Sequence, residues 1–393
     1  MAQALSKAPA TARILLTGDV MLGERRRVLQ RWSGVAGNKA GTLHSLAEAA
    51  NGPLPPSRGF EYPWGVALAD MQAKQPDARV INLETAVTTS PHAWPAKGIN
   101  YRMHPGNVPT LGAAGIDVCC LANNHSLDWG VEGLLETLDV LRGAGMQTAG
   151  AGRTLAEAQA PAGAQLPHGS GTSGGGRLLV WAMGHASSGV PAGWAAGHDR
   201  PGILTTELSP AGVHRLAELV RQHKRPGDLA LVSVHWGANW GYQVPEEQRR
   251  FARSLIDDAG VAVVHGHSSH HLKGAELYRG HLITYGCGDL LSDYEGISNS
   301  SIEAVYPPEQ YRDDLGALWY ADVNTHDGRL HQLILTPTRL KQLSLHPPDQ
   351  SDMQHFTAVL DRECGRLGGL DKAHVLPGGG SLVLTAAQAE GEA

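Results

Sequence analysis

Positive charge is in short supply in this 393-residue chain: 32 Lys and Arg face 38 Asp and Glu, a formal net charge of −6. A surface built to coat nucleic acid is normally basic, so no nucleic-acid partner is expected. Cysteine is equally scarce. The four, Cys119, Cys120, Cys287 and Cys364, form no C-x-x-C pair. Cys119 and Cys120 are neighbours in an apolar run, where successive side chains point to opposite faces. They read as small buried hydrophobes of a reducing compartment, not as a disulfide framework. Long apolar runs are missing too. The opening "MAQALSKAPATARILLTGDV" has no long apolar core ahead of a small-residue cleavage site. Neither a signal peptide nor a membrane anchor is expected, and the default location is cytoplasmic. The glycine-rich "HGSGTSGGGR" at 168–177 lacks the G-K-[ST] ending of a phosphate loop and reads as a flexible connector. No internal repeat is found.

What the chain does hold is the composition of an ordinary globular protein, 42% hydrophobic and 18% charged, long enough for two modest domains or one large one. Short apolar runs alternate with amphipathic segments. "RILLTGD" (13–19), "ARVINLE" (78–84), "GIDVCC" (115–120), "RLLVWAMGH" (177–185), "LALVSVHWG" (229–237) and "VAVVHGH" (261–267) read as strands. The spacing of Leu134, Leu135, Leu138 and Leu141 predicts a helix over 131–145, stopped by Gly143 and Gly145. Ser209 as N-cap and Pro210 at the first position open a second helix over 209–224, and "PEEQRRFARSLIDDAG" (245–260) is a third. "GAELYRGHLITYGCGD" (274–289) folds as two strands about its "RG" turn, and the later "HDGR" marks an antiparallel hairpin. Strand–helix alternation followed by a hairpin-rich end points to an α/β layered sandwich with mixed sheets. The expected organisation is a tail over 1–12, one domain over 13–345, and a C-terminal helix and tail over 346–393, frayed at "TAAQAEGEA".

Polar residues of metal-ligand type recur at the C-terminal ends of these strands. Asp19 closes the first, Asn82 and Glu84 the second, Asn124 and His125 follow the third, and His235 closes the "LALVSVH" run. His265, His267, His270 and His271 crowd into "HGHSSHH". Sites in open α/β sheets assemble at that edge, where loops bring distant residues together. Each feature alone has a plainer explanation: Asp19, Asn123 and Asn124 suit turns, and a lone His after a strand is usually a hydrogen-bonded loop residue. Five strand ends with the same character are hard to ascribe to packing. Mixed Asp, Glu, Asn and His donors without cysteine suit a divalent ion in a reactive site, not a structural zinc.

With these residues in view, the chain resembles the CapA family, named for poly-γ-glutamate capsule synthesis and similar in fold to calcineurin-like metallophosphoesterases. The resemblance runs from about Ile14 to Asp293 and is carried by "LLTGDVMLG", "INLETAVTT", "KGINYRMHP", "LANNHSLDWG", "SVHWGANW", "HGHSSHH" and "YGCGDLLSDYEG". It implies a four-layer αββα sandwich. Phosphoesterases of that fold use a D-x-H pair, a bridging Asp, an N-H pair, a later His and a final G-H-x-H. The resemblance gives Asp19 the first place, Glu84 the bridging place, Asn124 and His125 the N-H pair, His235 the later His, and His267 and His270 the last motif. Asn124 would then offer a carbonyl oxygen to the metal, while His125 acts as acid or electrostatic stabiliser with Asp128 polarising its ring. Three departures stand out. Met21 replaces the His of D-x-H, Glu84 replaces an Asp, and two serines separate His267 from His270. One or two divalent ions are implied, with Mn, Fe, Zn, Mg and Ca not distinguished.

Other residues have readings that stay open. Asp289 either faces the site as an acid–base group or forms an Asx turn. Lys97, Tyr101, Arg102 and His104 either grip a carboxylate or phosphate of a substrate or belong to a solvated connector. Trp129, Trp236 and Trp240 wall a pocket or pack in the core. Three functions compete. The first is a metal-dependent hydrolase acting on a phosphoester or amide-type substrate, such as poly-γ-glutamate or another polymer. The second is a peptide epimerase working at a Cα centre through His–carboxylate pairs, His125 with Asp128 and a His of "HGHSSHH" with Asp289. The third is a non-catalytic binding protein. The partner expected is a small-molecule, polymer or peptide substrate.

Overall fold

The computed structural model of the chain describes residues 7–8, 10–23, 40–55, 59–166, 176–295 and 303–387. The connector expected at 168–177 lies outside them as far as residue 175, and so does the end of the chain beyond 387.

Among the described residues, two large mixed sheets form the framework. The first has the order His374–Val375, Leu382–Leu384, Leu330–Lys341, Leu315–Asn324, Thr11–Met21, Ala78–Leu83, Val118–Cys120, Gln147–Ala149. Asp289–Ser292 pairs beside Thr11–Met21, and Ser344–His346 beside Leu330–Lys341. The second runs Leu272–Tyr278, His281–Cys287, Val263–His267, Leu229–His235, Arg177–Gly184, Ala162–Gln165.

Side-chain alternation along the second sheet shows how the layers stack. Leu179, Trp181, Ala230, Val232, Val234 and Val264 share a core with Val213, Leu216 and Val220 of helix Pro210–His223 and with Phe251, Ala252 and Leu255 of helix Glu246–Ala259. Their neighbours one residue away, Leu178, Val180, Leu229, Leu231 and Val263, join the core of the first sheet instead. Period-two alternation therefore sends one face of these strands to the helices and the other to the partner sheet. Leu134, Leu138 and Leu141 of helix Gly130–Gly143 and Met71 of helix Val66–Lys74 close the first sheet from outside. The result is the αββα sandwich that the resemblance implied. By the same alternation Ser233, His235, His265 and His267 belong to the inter-sheet face, polar groups continuing an apolar row.

Local chemistry accounts for the element ends. Ser209 accepts the Gly212 N–H at 3.3 Å with Pro210 in the first turn, and Asp349 and Asp352 form a reciprocal capping box on helix Gln350–Leu367. The "RG" turn has Arg279 at φ +52° and Gly280 at φ +85°, the paired positive values of a tight hairpin turn. The C-terminal segment holds more than the expected helix and tail. Leu382–Leu384 pairs antiparallel with Leu333–Leu335, and Leu382 and Leu384 are buried. Three residues between a glycine run and a polar end are too short for a periodic pattern to stand out. No helix among the described residues is long and apolar enough to cross a membrane.

The first strand is tied down by a buried ion pair. Arg13 Nε and Nη2 donate to the two carboxylate oxygens of Asp322 at 2.6 and 2.7 Å, with the two side chains 1% and 0% exposed. Removing one partner leaves a charge buried without compensation, which costs about 3–5 kcal/mol. Asp322→Ala is therefore expected to lower the unfolding free energy from urea titration by that order, whereas Asp139→Ala, which breaks the exposed pair with Arg153, leaves it unchanged. Equal effects in the two variants would refute the assignment.

Candidate metal centre

The centre is built where two glycines let two backbones touch. Asp19 N–H donates to the Gly288 carbonyl at 3.0 Å, and a Cβ added to Gly18 would lie 1.6 Å from that same oxygen. The "TGD" and "CGD" strand ends can only approach this closely without a side chain at 18. Parallel pairing then sets Asp19 opposite Asp289 on one side and opposite Asn82 on the other. From the second sheet, pairing sets His235 opposite His267.

These strand ends deliver two donor groups: Asp19, His235 and His267 in one, Asp19, His270 and Asp289 in the other, with the donor atoms of each group within 4.8 Å of one another. Asp19 belongs to both. The resemblance gave the shared place to Glu84, but here Glu84 Oε1 stands 3.7 Å from His235 Nε2 and 3.8 Å from His125 Nε2. Asn124 Oδ1 lies 3.1 Å from His235 Nε2, where a carbonyl oxygen would complete the first group. Asp289, read from the sequence as acid–base group or turn, stands with its carboxylate 2.9 Å from His270 Nδ1.

The electrostatics of this cluster are those of a cation site. Burial lifts the Asp19 carboxyl to about 7, and the Asp289 carboxylate adds to the shift. Burial, then Asp19, holds Glu84 well above the usual carboxyl range. Burial keeps His235 and His267 neutral, well below the ordinary imidazole value, so their lone pairs are available. His270 goes the other way: burial pulls it down, but Asp289 and Asp19 raise it to about 9. Crowded carboxyls and unprotonated imidazoles converging in a buried cluster would be satisfied together by a divalent ion. Oxygen and imidazole donors without thiolate fit Mn, Fe, Zn, Mg or Ca.

His125 stands beside the first group and is oriented from behind. Its Nδ1 lies 2.6 Å from Asp128 Oδ2, which also accepts the Tyr101 N–H at 2.6 Å. Lys97 Nζ closes on Asp128 Oδ1 and on the Asn124 carbonyl. The Tyr101 ring stacks on His125 with centroids 4.0 Å apart. Burial lowers His125 to about 4 despite the pull of Asp128, so the ring is neutral. Asp128 is thus a hub fixing His125, Tyr101 and Lys97 at once.

Not every candidate converges. Arg102 donates to the Ser90 carbonyl at 2.9 Å and lies over Trp129, and His104 caps a short turn by accepting the Gly106 N–H. Trp236 is a core residue stacked on Tyr285. Trp240 does reach the site, 5.8 Å from the His270 ring. The structure gives positioning roles to Asn82, read from the sequence as closing its strand, and to Asn123 and Tyr294. Asn82 Nδ2 donates to Asp19 Oδ1 at 2.7 Å and to Glu84 Oε2 at 3.2 Å, and Asn123 Nδ2 holds Asn82 Oδ1 at 3.0 Å. Tyr294 packs 5.3 Å from Tyr101. Asn82, one residue before the end of its strand, is an amide buried in the sheet that needs partners on every side.

Comparison with known proteins places the chain in a family. The model of the family described as bacterial capsule synthesis protein PGA_cap matches residues 13–294, a span that includes every residue of the two donor groups. A Mycobacterium tuberculosis protein named "Probable polyglutamine synthesis accessory protein" is 39% identical over 376 residues, covering 92% of this chain and 93% of its own. The "PGA biosynthesis protein CapA" of Bacillus subtilis is 27% identical over 266 residues, 67% of this chain and 64% of its own.

The acid crowding has a measurable consequence. A carboxyl raised in the folded state from 3.8 to about 7 binds its proton more tightly when folded, so stability falls as pH rises through that window. In protein stripped of divalent ions, Asp19→Asn is therefore expected to raise the unfolding free energy at pH 8, by roughly a few kcal/mol at most, with the gain fading towards pH 4. A loss of stability at pH 8 in urea titrations would contradict the electrostatics described.

Proposed function

Because this chain belongs to the bacterial capsule synthesis protein family PGA_cap, whose CapA members fall within the metallophosphoesterase superfamily, we propose that it is a metal-dependent hydrolase acting on a glutamate-type polymer. The observation that carries the reading is Asp19 shared by two donor groups, next to a neutral imidazole backed by a carboxylate. The names of its relatives, which refer to polyglutamine and PGA synthesis, supply the polymer class. An enzyme that trims or releases such a chain cleaves an amide bond.

Asp19, His235 and His267, with Asn124 and Glu84 alongside, would hold one ion, and Asp19, His270 and Asp289 would hold a second. A divalent ion bound there supplies an activated water and polarises the scissile group. The protein's own residues do the rest. His125 donates Nδ1–H to Asp128, which leaves the Nε2 lone pair turned to the centre. It takes the proton released on attack and returns it to the departing nitrogen, and Asp128 stabilises the imidazolium in between. Lys97 holds the other oxygen of Asp128, and the stacked Tyr101 ring limits the swing of His125. Trp240, beside His270, lines the approach.

One contact favours a second reading. His270 and Asp289 at 2.9 Å make a second His–carboxylate pair beside His125 and Asp128, the arrangement an epimerase would use on two faces of a Cα.

Protein loaded with Mn²⁺ and incubated with poly-γ-glutamate should release new amino termini. His125→Ala should keep its metal but lose at least about 10²-fold in rate, and Asp19→Ala should lose the metal as well. Deuterium entering the polymer from heavy water without chain cleavage would replace the hydrolase reading with the epimerase. Full metal content in Asp19→Ala would remove the basis of both.

A further inference from the structure

We infer that Ser233 and His265, neither of them a donor in the groups above, select which nitrogen His267 presents to the centre, and that this nitrogen is Nδ1. The inference rests on the metal reading and adds positioning residues to it.

Ser233 faces His265, and His235 faces His267, across two parallel strands. All four side chains are buried on the face turned to the first sheet. The hydrogen-bond chain starts on that opposite sheet. A carbonyl can only accept, so His265 Nε2, 2.7 Å from the Thr17 carbonyl, carries a proton. An imidazole buried against a carbonyl and a hydroxyl, with no carboxylate in contact, is neutral and has a single N–H. His265 Nδ1 is therefore an acceptor, and it takes the Ser233 hydroxyl proton at 3.2 Å. With that proton spent, Ser233 Oγ can only accept from its remaining neighbours, the Cys120 thiol and His267 Nε2 at 2.8 Å. His267 thus holds its proton on Nε2 and keeps its lone pair on Nδ1, which accepts from His235 Nδ1–H at 2.9 Å, leaves His235 Nε2 bare, and stands 3.8 Å from Asp19 Oδ1.

Each step leaves one assignment, and the chain ends on the nitrogen that a metal ion would need. Partners of this kind set the tautomer and orientation of ligating histidines. Here the partner chain also spans the sandwich. The carbonyl of Thr17 lies two residues before Asp19 on the same strand, so one strand both supplies the shared carboxylate and orients the imidazole facing it.

The test uses zinc as the probe, on the full chain. Nitrogen-15 NMR of wild-type protein should show His267 protonated at Nε2 and bare at Nδ1, before and after zinc is added. Ser233→Ala should weaken zinc binding by about 10- to 100-fold and leave His267 as a mixture of tautomers, while Ser233→Thr, which keeps the hydroxyl, should restore both. A wild-type spectrum with Nε2 bare overturns the inference without any variant, and so does Ser233→Ala binding zinc like the wild type. Wild-type protein that binds no zinc, manganese or iron defeats the metal reading itself and this inference with it.

Discussion

Two backbones touching at Gly18 and Gly288 hold the centre in place. Because no Cβ intervenes, the Asp19 N–H reaches the Gly288 carbonyl, and the first strand lies flush against the strand that starts at Asp289. That contact decides where two carboxylates stand. Everything else in the site is arranged around them: Asn82 and Asn123 brace Asp19 from the neighbouring strand, while His235 and His267 approach from the other sheet. A side chain at position 18 would push the strands apart and separate Asp19 from Asp289 before any ligand chemistry was altered.

The arrangement works against the stability of the fold it sits in. Asp19, Glu84 and Asp289 are buried together, and the proteins that tolerate such crowding are those in which a counter-charge is bound. The surrounding sandwich offsets the cost by packing. The rows Leu229, Leu231 and Val263 fill the space between the sheets up to the point where the same rows turn polar at Ser233, His235, His265 and His267. The change from apolar to polar occurs at the strand ends, so the site is roofed by core rather than set within it. Strands hold Asp19, His235, His267 and Asp289, while His270 stands on the connection that follows His267.

A second level of organisation sits beside the donors. Asp128 accepts from His125, Tyr101 and Lys97, so a single carboxylate orients the imidazole, the ring stacked on it and the ammonium behind it. Residues that act through one hub are not independent. Truncating Asp128 would release all three groups, which is why the polymer-cleaving reading rests on the constellation and not on His125 alone. Arg102 and His104, from the same stretch as Lys97 and Tyr101, serve local structure instead. Adjacency in sequence did not translate into adjacency at the site, because Arg102–Met103 is a strand paired with Ala86–Val87, and successive side chains of a strand point to opposite faces.

Much of this was legible in the chain itself. Runs such as "LALVSVH" and "ARVINLE" read as strands because apolar β-branched residues recur without a polar face, and the polar residues that close them read as a site because strands in layered α/β folds release their loops at one edge. The helices at 209–224 and 245–260 announced themselves through caps and spacing. All of these are local signals, carried by residues within a turn or two of one another. What no local pattern could supply is which strand lies beside which. The sharing of Asp19 between two donor groups, the place of Asp289 among them, and the Thr17–His265–Ser233–His267 chain all depend on pairing between segments more than two hundred residues apart in part. A carboxylate's role is set by the groups that surround it, and only the packed sheets bring those groups within hydrogen-bonding range.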